Sequence, residues 1–108
     1  MKFSKYHGAG NDFVLIDDRE DQIHLSQKEI SLICDRHFGV GADGLILLRN
    51  AEEAAYEMIY YNANGAIGSM CGNGARCAYA FAKALDIVAG RVTFKAYDGL
   101  HEAWEDDR

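Results

Sequence analysis

The chain is short of positive charge, of cysteine pairs and of long apolar runs, and each shortage removes a class of function. Its 11 Lys and Arg stand against 17 Asp and Glu, a net charge of -6, and no basic cluster interrupts that balance. Phosphate backbones and anionic lipid surfaces are held by concentrated Lys and Arg, so nucleic acid and membrane are excluded as partners. No apolar run is long enough to span a bilayer, and Phe13 to Ile16 is too short for the core of a signal peptide. A cytoplasmic location is the expectation. The 3 cysteines cannot all pair, which points to a reducing compartment. Internal repeats and low-complexity segments are missing too, as is a Lys-Ser or Lys-Thr after a Gly-rich loop that would mark a phosphate-binding P-loop. At 108 residues the chain has room for one core, a single domain over 1–108, and none for two lobes.

What is there centres on Ser69-Met70-Cys71-Gly72-Asn73-Gly74-Ala75-Arg76-Cys77, which runs straight into the apolar stretch Ala78 to Leu85. A Gly-rich turn opens into a helix, and Cys71 falls where that helix begins. Unpaired N–H groups and the positive end of the helix dipole gather at such a point and favour an anion. They stabilise a thiolate, so Cys71 is a usable base; the bland alternative is a structural cysteine at a Gly-capped helix start. Gly72 and Gly74 carry no side chain that would block a ligand, so the same donors are able to hold a carboxylate beside the sulfur. Proton removal next to a carboxylate is the chemistry this arrangement suits. Arg76 is expected to tie the helix start to nearby carbonyls or a carboxylate, pointing away from that N-terminus. Cys34 and Cys77 read as packed, inert residues.

Along the chain, Lys2 to Tyr6 and Phe13 to Ile16 predict two strands flanking a turn at His7 to Asp12. Asn11 is by default a turn residue there, although its amide is also able to hold an ammonium or a carboxylate. Ser26-Gln27-Lys28-Glu29 has the form of a capping box, and Ile30, Ile33, Cys34 and His37 lie at helical spacing, so a helix is expected to end near Gly39. A lone Cys34-x-x-His37 reads as core packing, and no metal site is expected. Gly39 to Gly44 has the spacing G-x-G-x-x-G, but a helix precedes it and the strand-like Leu45 to Leu48 follows, the reverse of the dinucleotide-binding context. Nucleotide binding is rejected. Tyr56 to Tyr61 predicts a strand paired with that one. Asn64-Gly65 is a turn signal, whereas Asn62 precedes the turn at the strand's end. The helix from Cys71 to about Leu85 is apolar nearly all round and must be surrounded. Val92 to Tyr97 and Leu100 to Trp104 predict a closing hairpin through Asp98-Gly99.

Met70-Cys71-Gly72-Asn73-Gly74-Ala75-Arg76-Cys77 resembles the motif of the diaminopimelate epimerase family. Phe3 to Phe13 and Asp35 to Gly44 resemble two further segments of the same family, in the same order and spacing. The resemblance implies an α+β fold, a curled, mostly antiparallel sheet around the central helix, with the helix of Ser26 to His37 packed outside. It implies the first of two lobes with the active site in the cleft between them, the second lobe being absent from this chain. The implied activity interconverts LL- and meso-diaminopimelate with two cysteine bases, no pyridoxal phosphate and no other cofactor. By resemblance Cys71 is the acid/base, Gly72 and Asn73 bind the α-carboxylate, and Asn11 and Asn62 bind substrate. Asn64 replaces a usual aspartate, and Gly44 offers no side chain where some members have a polar one. The implied partners are diaminopimelate and the second lobe, with a homodimer as a further candidate. A proline racemase or hydroxyproline epimerase typically has His after Cys-Gly, where this chain has Asn73. A non-catalytic carboxylate-binding module is the alternative outside the enzymes.

Overall fold

The computed structural model describes residues 2–8, 10–68 and 72–104. Among them a six-stranded sheet runs in sequence order: β1 (Ser4–Gly8), β2 (Asn11–Asp17), β3 (Gly44–Arg49), β4 (Tyr56–Asn62), β5 (Val92–Ala96) and β6 (Gly99–Ala103). Helix α1 (Gln27–Cys34) connects β2 to β3, and α2 (Gly72–Ala84) connects β4 to β5. The α+β expectation stands. Pairs β1/β2, β3/β4 and β5/β6 are antiparallel hairpins, whereas β2/β3 and β4/β5 are parallel. A parallel pair needs a crossover over one face of the sheet, and each helix supplies one. Both crossovers step the same way along the sheet, but the β3/β4 hairpin reverses the strand direction between them. Crossovers of one hand then put the two helices on opposite faces.

The two core clusters lie accordingly. Phe13, Leu15, Ile46, Leu48, Met58 and Phe94 pack on Cys77, Ala78, Phe81 and Ala82 of α2. Val14, Ile16, Leu45 and Leu47 face the other way, onto Ile30 and Cys34 of α1. Strands buried on both faces need unbroken apolar runs, which is why Phe13 to Ile16 and Leu45 to Leu48 do not alternate. Both described cysteines, Cys34 and Cys77, are buried.

Three boundaries and the enclosure of α2 differ from the sequence reading. The first hairpin pairs His7 with Asp12 and Gly8 with Asn11, so its turn has two residues instead of six. Gly10 makes that turn possible with φ +95. Asn11 is therefore the first residue of a strand. Helix α1 begins as its capping box requires, with Ser26 Oγ accepting from the Glu29 N–H at 3.1 Å and Glu29 Oε1 accepting from the Ser26 N–H at 2.9 Å. It ends at Cys34, short of Gly39, because the Asp35 carboxylate accepts from the N–H groups of His37 and Phe38 at 2.8 and 3.0 Å and turns the chain. His37 is exposed as a result. The last hairpin joins Ala96 to Gly99, which places the turn at Tyr97-Asp98, with Gly99 inside β6. Finally, α2 meets β1, β2, β3, β4 and β6 but is not fully enclosed. Arg76, Ala80, Lys83 and Ala84 stay exposed along an open groove of about 960 Å³ between α2 and β6, walled by Tyr79, Phe94, Ala103 and Trp104.

Candidate active site

The start of α2, the start of β2, the start of β3 and the end of β4 meet at one end of one sheet face. Register shows why. Phe13 pairs with Gly44, and Gly44 with Asn62, so these three form a row across the sheet. The side chains of Phe13 and Asn62 share the α2 face, as would any Cβ on Gly44, since residues that pair or stand two apart in a strand point the same way. Asn11, two residues before Phe13, lies on that face at the very end of the sheet. β4 leads through the Asn62 to Gly65 turn toward α2, which therefore starts at this end.

Asn73 Nδ2 donates to Asn11 Oδ1 at 2.8 Å. Asn11 Nδ2 donates to Asp43 Oδ2 at 3.3 Å, and the Asp12 N–H donates to the same oxygen at 3.1 Å. Arg76 Nη1 donates to Asn73 Oδ1 at 3.3 Å. Both amides are thus oriented. Each keeps one N–H and one lone pair for a ligand. Arg76 reaches back toward the helix N-terminus, against expectation, because helix side chains lean that way. Its acceptor is the side-chain carbonyl of Asn73, so it ties the helix start to a carbonyl as expected, one belonging to the helix's own first turn. The first-turn N–H groups, those of Gly72 and Asn73 among them, have no acceptor within the helix. A Cβ built on Gly72 meets nothing within 4 Å, so a ligand has free approach.

Behind Asn11 lies an anchor that sequence reasoning missed. Asp12, 9 % exposed, accepts two bonds from Arg36, Nη1 to Oδ2 at 3.1 Å and Nη2 to Oδ1 at 2.9 Å, and an ion pair from Lys5 at 3.0 Å. Arg36 also bonds Asp43 at 3.2 Å. The Arg36 guanidinium holds the Asp12 carboxyl well below the usual carboxylate range against the opposing effect of burial, with Lys5 and the Asp43 N–H adding to it. Asp43 therefore ties the charged cluster on the α1 face to the amide pair on the α2 face. The one signal in sequence was Asp12 itself, an acid opening a run of four apolar residues that are all buried.

Asn62 sits at the same end, two strands from Asn11, with its amide beside Gly68. Asn64 serves the turn, as its spacing suggests: its Oδ1 accepts from the Ala66 N–H at 3.0 Å, and Gly65 has φ +85. Cys71, the expected acid/base, lies outside the described residues; it precedes Gly72 directly in the chain. Burial pushes the Cys34 thiol up.

The family model for diaminopimelate epimerase matches residues 3–108. The chain belongs to the diaminopimelate epimerase family. The diaminopimelate epimerase of Flavobacterium psychrophilum is 53 % identical over 105 residues, 95 % of this chain and 41 % of that protein. That of Thermosynechococcus vestitus is 51 % identical over 88 residues, 80 % of this chain and 31 % of its own length. The chain thus spans about two fifths or less of the diaminopimelate epimerases it matches. Among solved structures, a phenazine biosynthesis protein of the PhzF family from Bacillus anthracis superposes with a TM-score of 0.66 at 17 % identity, covering 94 % of this chain and 33 % of that one. At that identity the likeness is one of fold, and the diaminopimelate epimerase sheet and helices found here share it. No helix among the described residues is long and apolar enough to cross a membrane.

Proposed function

We propose that residues 1–108 form one lobe of a cofactor-independent epimerase that interconverts LL- and meso-diaminopimelate. The observation that carries this is the bonded pair Asn73–Asn11 at the first turn of α2, directly after Cys71 in the chain. The first-turn N–H groups of Gly72 and Asn73 bind the α-carboxylate, and Asn11, Asn73 and Asn62 bind the rest of the amino-acid head. The Cys71 thiolate takes the α-proton. The C–H electron pair moves into the carboxylate, where the helix N-terminus and the oriented amides stabilise the charge. Inversion needs a proton from the opposite face. One thiol addresses only one face, so the second proton comes from a base on a second lobe, matching the greater length of the relatives. Asn73 in place of His sets the reading apart from proline racemase.

Alkylation of the native chain with peptide mapping tests the binding half of this reading. Cys71 is expected to label first, since Cys34 and Cys77 are buried, and saturating diaminopimelate is expected to slow it. Labelling of Cys71 unaffected by diaminopimelate would overturn the reading. Incubation of the 108-residue chain with LL-diaminopimelate in deuterated water tests the rest. No meso product above a Cys71→Ala control is expected, and product from protein shown by intact mass to end at Arg108 would refute the one-lobe mechanism.

A further inference from the structure

Tyr60 pairs with Ile46, yet its ring lies further along the sheet, over Gly44 at the site end. A Cβ built on Gly44 falls 2.5 Å from Tyr60 Cε1, 3.3 Å from Cζ and 2.8 Å from the Tyr61 carbonyl oxygen. On the opposite edge of the ring, a Cβ on Gly68 falls 2.8 Å from Cε2, 2.9 Å from Cδ2 and 3.1 Å from Asn62 Nδ2. Distances below about 3 Å leave no room for both groups, so two bare backbones are what allow the ring to occupy this slot. The buried Phe13 ring braces it from behind, edge-on at 6.0 Å and 73°. Tyr60 remains partly exposed, beside Asn62 and on the face that carries Asn11 and Asn73. The amides and helix N-terminus around it are polar. The ring puts an apolar surface beside the Asn62 amide.

We propose that Tyr60 is a specificity-determining residue of this site: its ring is the floor on which the methylene linker of diaminopimelate lies, with Gly44 and Gly68 kept bare so that the ring reaches there. This rests on the substrate proposed above. A substrate with a charged head at each end and methylenes between needs polar groups at its ends and an apolar surface under its middle. A flat ring supplies that surface with little conformational entropy to lose.

The test is an NMR titration of the 108-residue chain with meso-diaminopimelate and with alanine, which has the same amino-acid head and no linker. Wild-type protein is expected to prefer diaminopimelate and to show nuclear Overhauser effects between Tyr60 ring protons and the linker methylenes. Tyr60→Phe keeps the ring and should keep the preference, whereas Tyr60→Ala should lower the ratio of the two affinities by about tenfold while leaving alanine binding little changed. Diaminopimelate bound to wild type without contact to Tyr60, or a folded Tyr60→Ala chain with the wild-type ratio, overturns the proposal while leaving the substrate reading intact. A wild-type chain that does not bind diaminopimelate overturns both. The wild-type contact measurement holds even if Tyr60→Ala fails to fold.

Discussion

Asp12 concentrates more electrostatics than any other described side chain near the site, and its pH dependence follows in sign. Its folded pKa lies below that of the unfolded chain, where a free Asp titrates near about 3.9. The stability it contributes is therefore fully present above that unfolded value and is lost as pH falls toward the folded one. Asp12→Asn should lower stability at pH 7 by about 1–3 kcal/mol, less than breaking a fully buried pair, because Arg36 and Lys5 are exposed enough to be hydrated when released. Urea midpoints should show the gap between wild type and Asp12→Asn narrowing below about pH 4. A gap independent of pH would remove Asp12 as its origin. Asn11, Asn62, Gly72 and Asn73, which lie together at one end of the sheet, were singled out in the sequence by the family resemblance of their segments. Their couplings were not. Asn11 meets Asp43 only through the β2/β3 register, 32 positions away, and Tyr60 reaches Gly44 only because a ring leans along its strand.

Elements were read best where one local signal acts alone. Ser26 and Glu29 predict the start of α1 because a capping box satisfies its own donors, and the runs Phe13 to Ile16 and Leu45 to Leu48 predict core strands. The end of α1 was misread because Asp35 competes with the helix for N–H groups, which apolar periodicity does not register. The seating of α2 depends on Gly8 of β1: a Cβ there falls 3.3 Å from both the Asn73 carbonyl oxygen and Cys77 Sγ. Gly8→Ala should push the first turn of α2 outward and cost about 1–2 kcal/mol by overpacking. Its side-chain amide resonances of Asn73 and Asn11 should move. Ser26→Ala, of similar cost at about 1 kcal/mol, should leave those amides in place, since α1 lies on the other face. Amides that stay put in Gly8→Ala would show that β1 does not seat the site.

Across the whole molecule the sheet is unevenly joined. β3 pairs with β4 through six residue pairs, whereas β5 pairs with β4 only through Tyr56–Phe94 and Glu57–Lys95. The rings of Tyr56 and Phe94 stack across that joint, 5.5 Å apart, beside the bond from the Ala55 N–H to the Thr93 carbonyl at 2.8 Å. Native-state hydrogen exchange should find the β5/β6 hairpin opening at lower free energy than β2, β3 and β4, where a single cooperative opening would contradict the weak joint. The groove beside α2 shares Phe94 and Ala103 with this hairpin, so its width should vary with the same opening. Sequential strand order has a further consequence for synthesis. A chain leaving the ribosome presents each strand to an edge already formed, and no strand has to be inserted between two others. The long-range step comes with α2, which must return to β1 and β2 once β4 is made. A nascent chain stalled before Gly72 would carry four paired strands with one apolar face uncovered, and that is the stage at which a chaperone has most to bind.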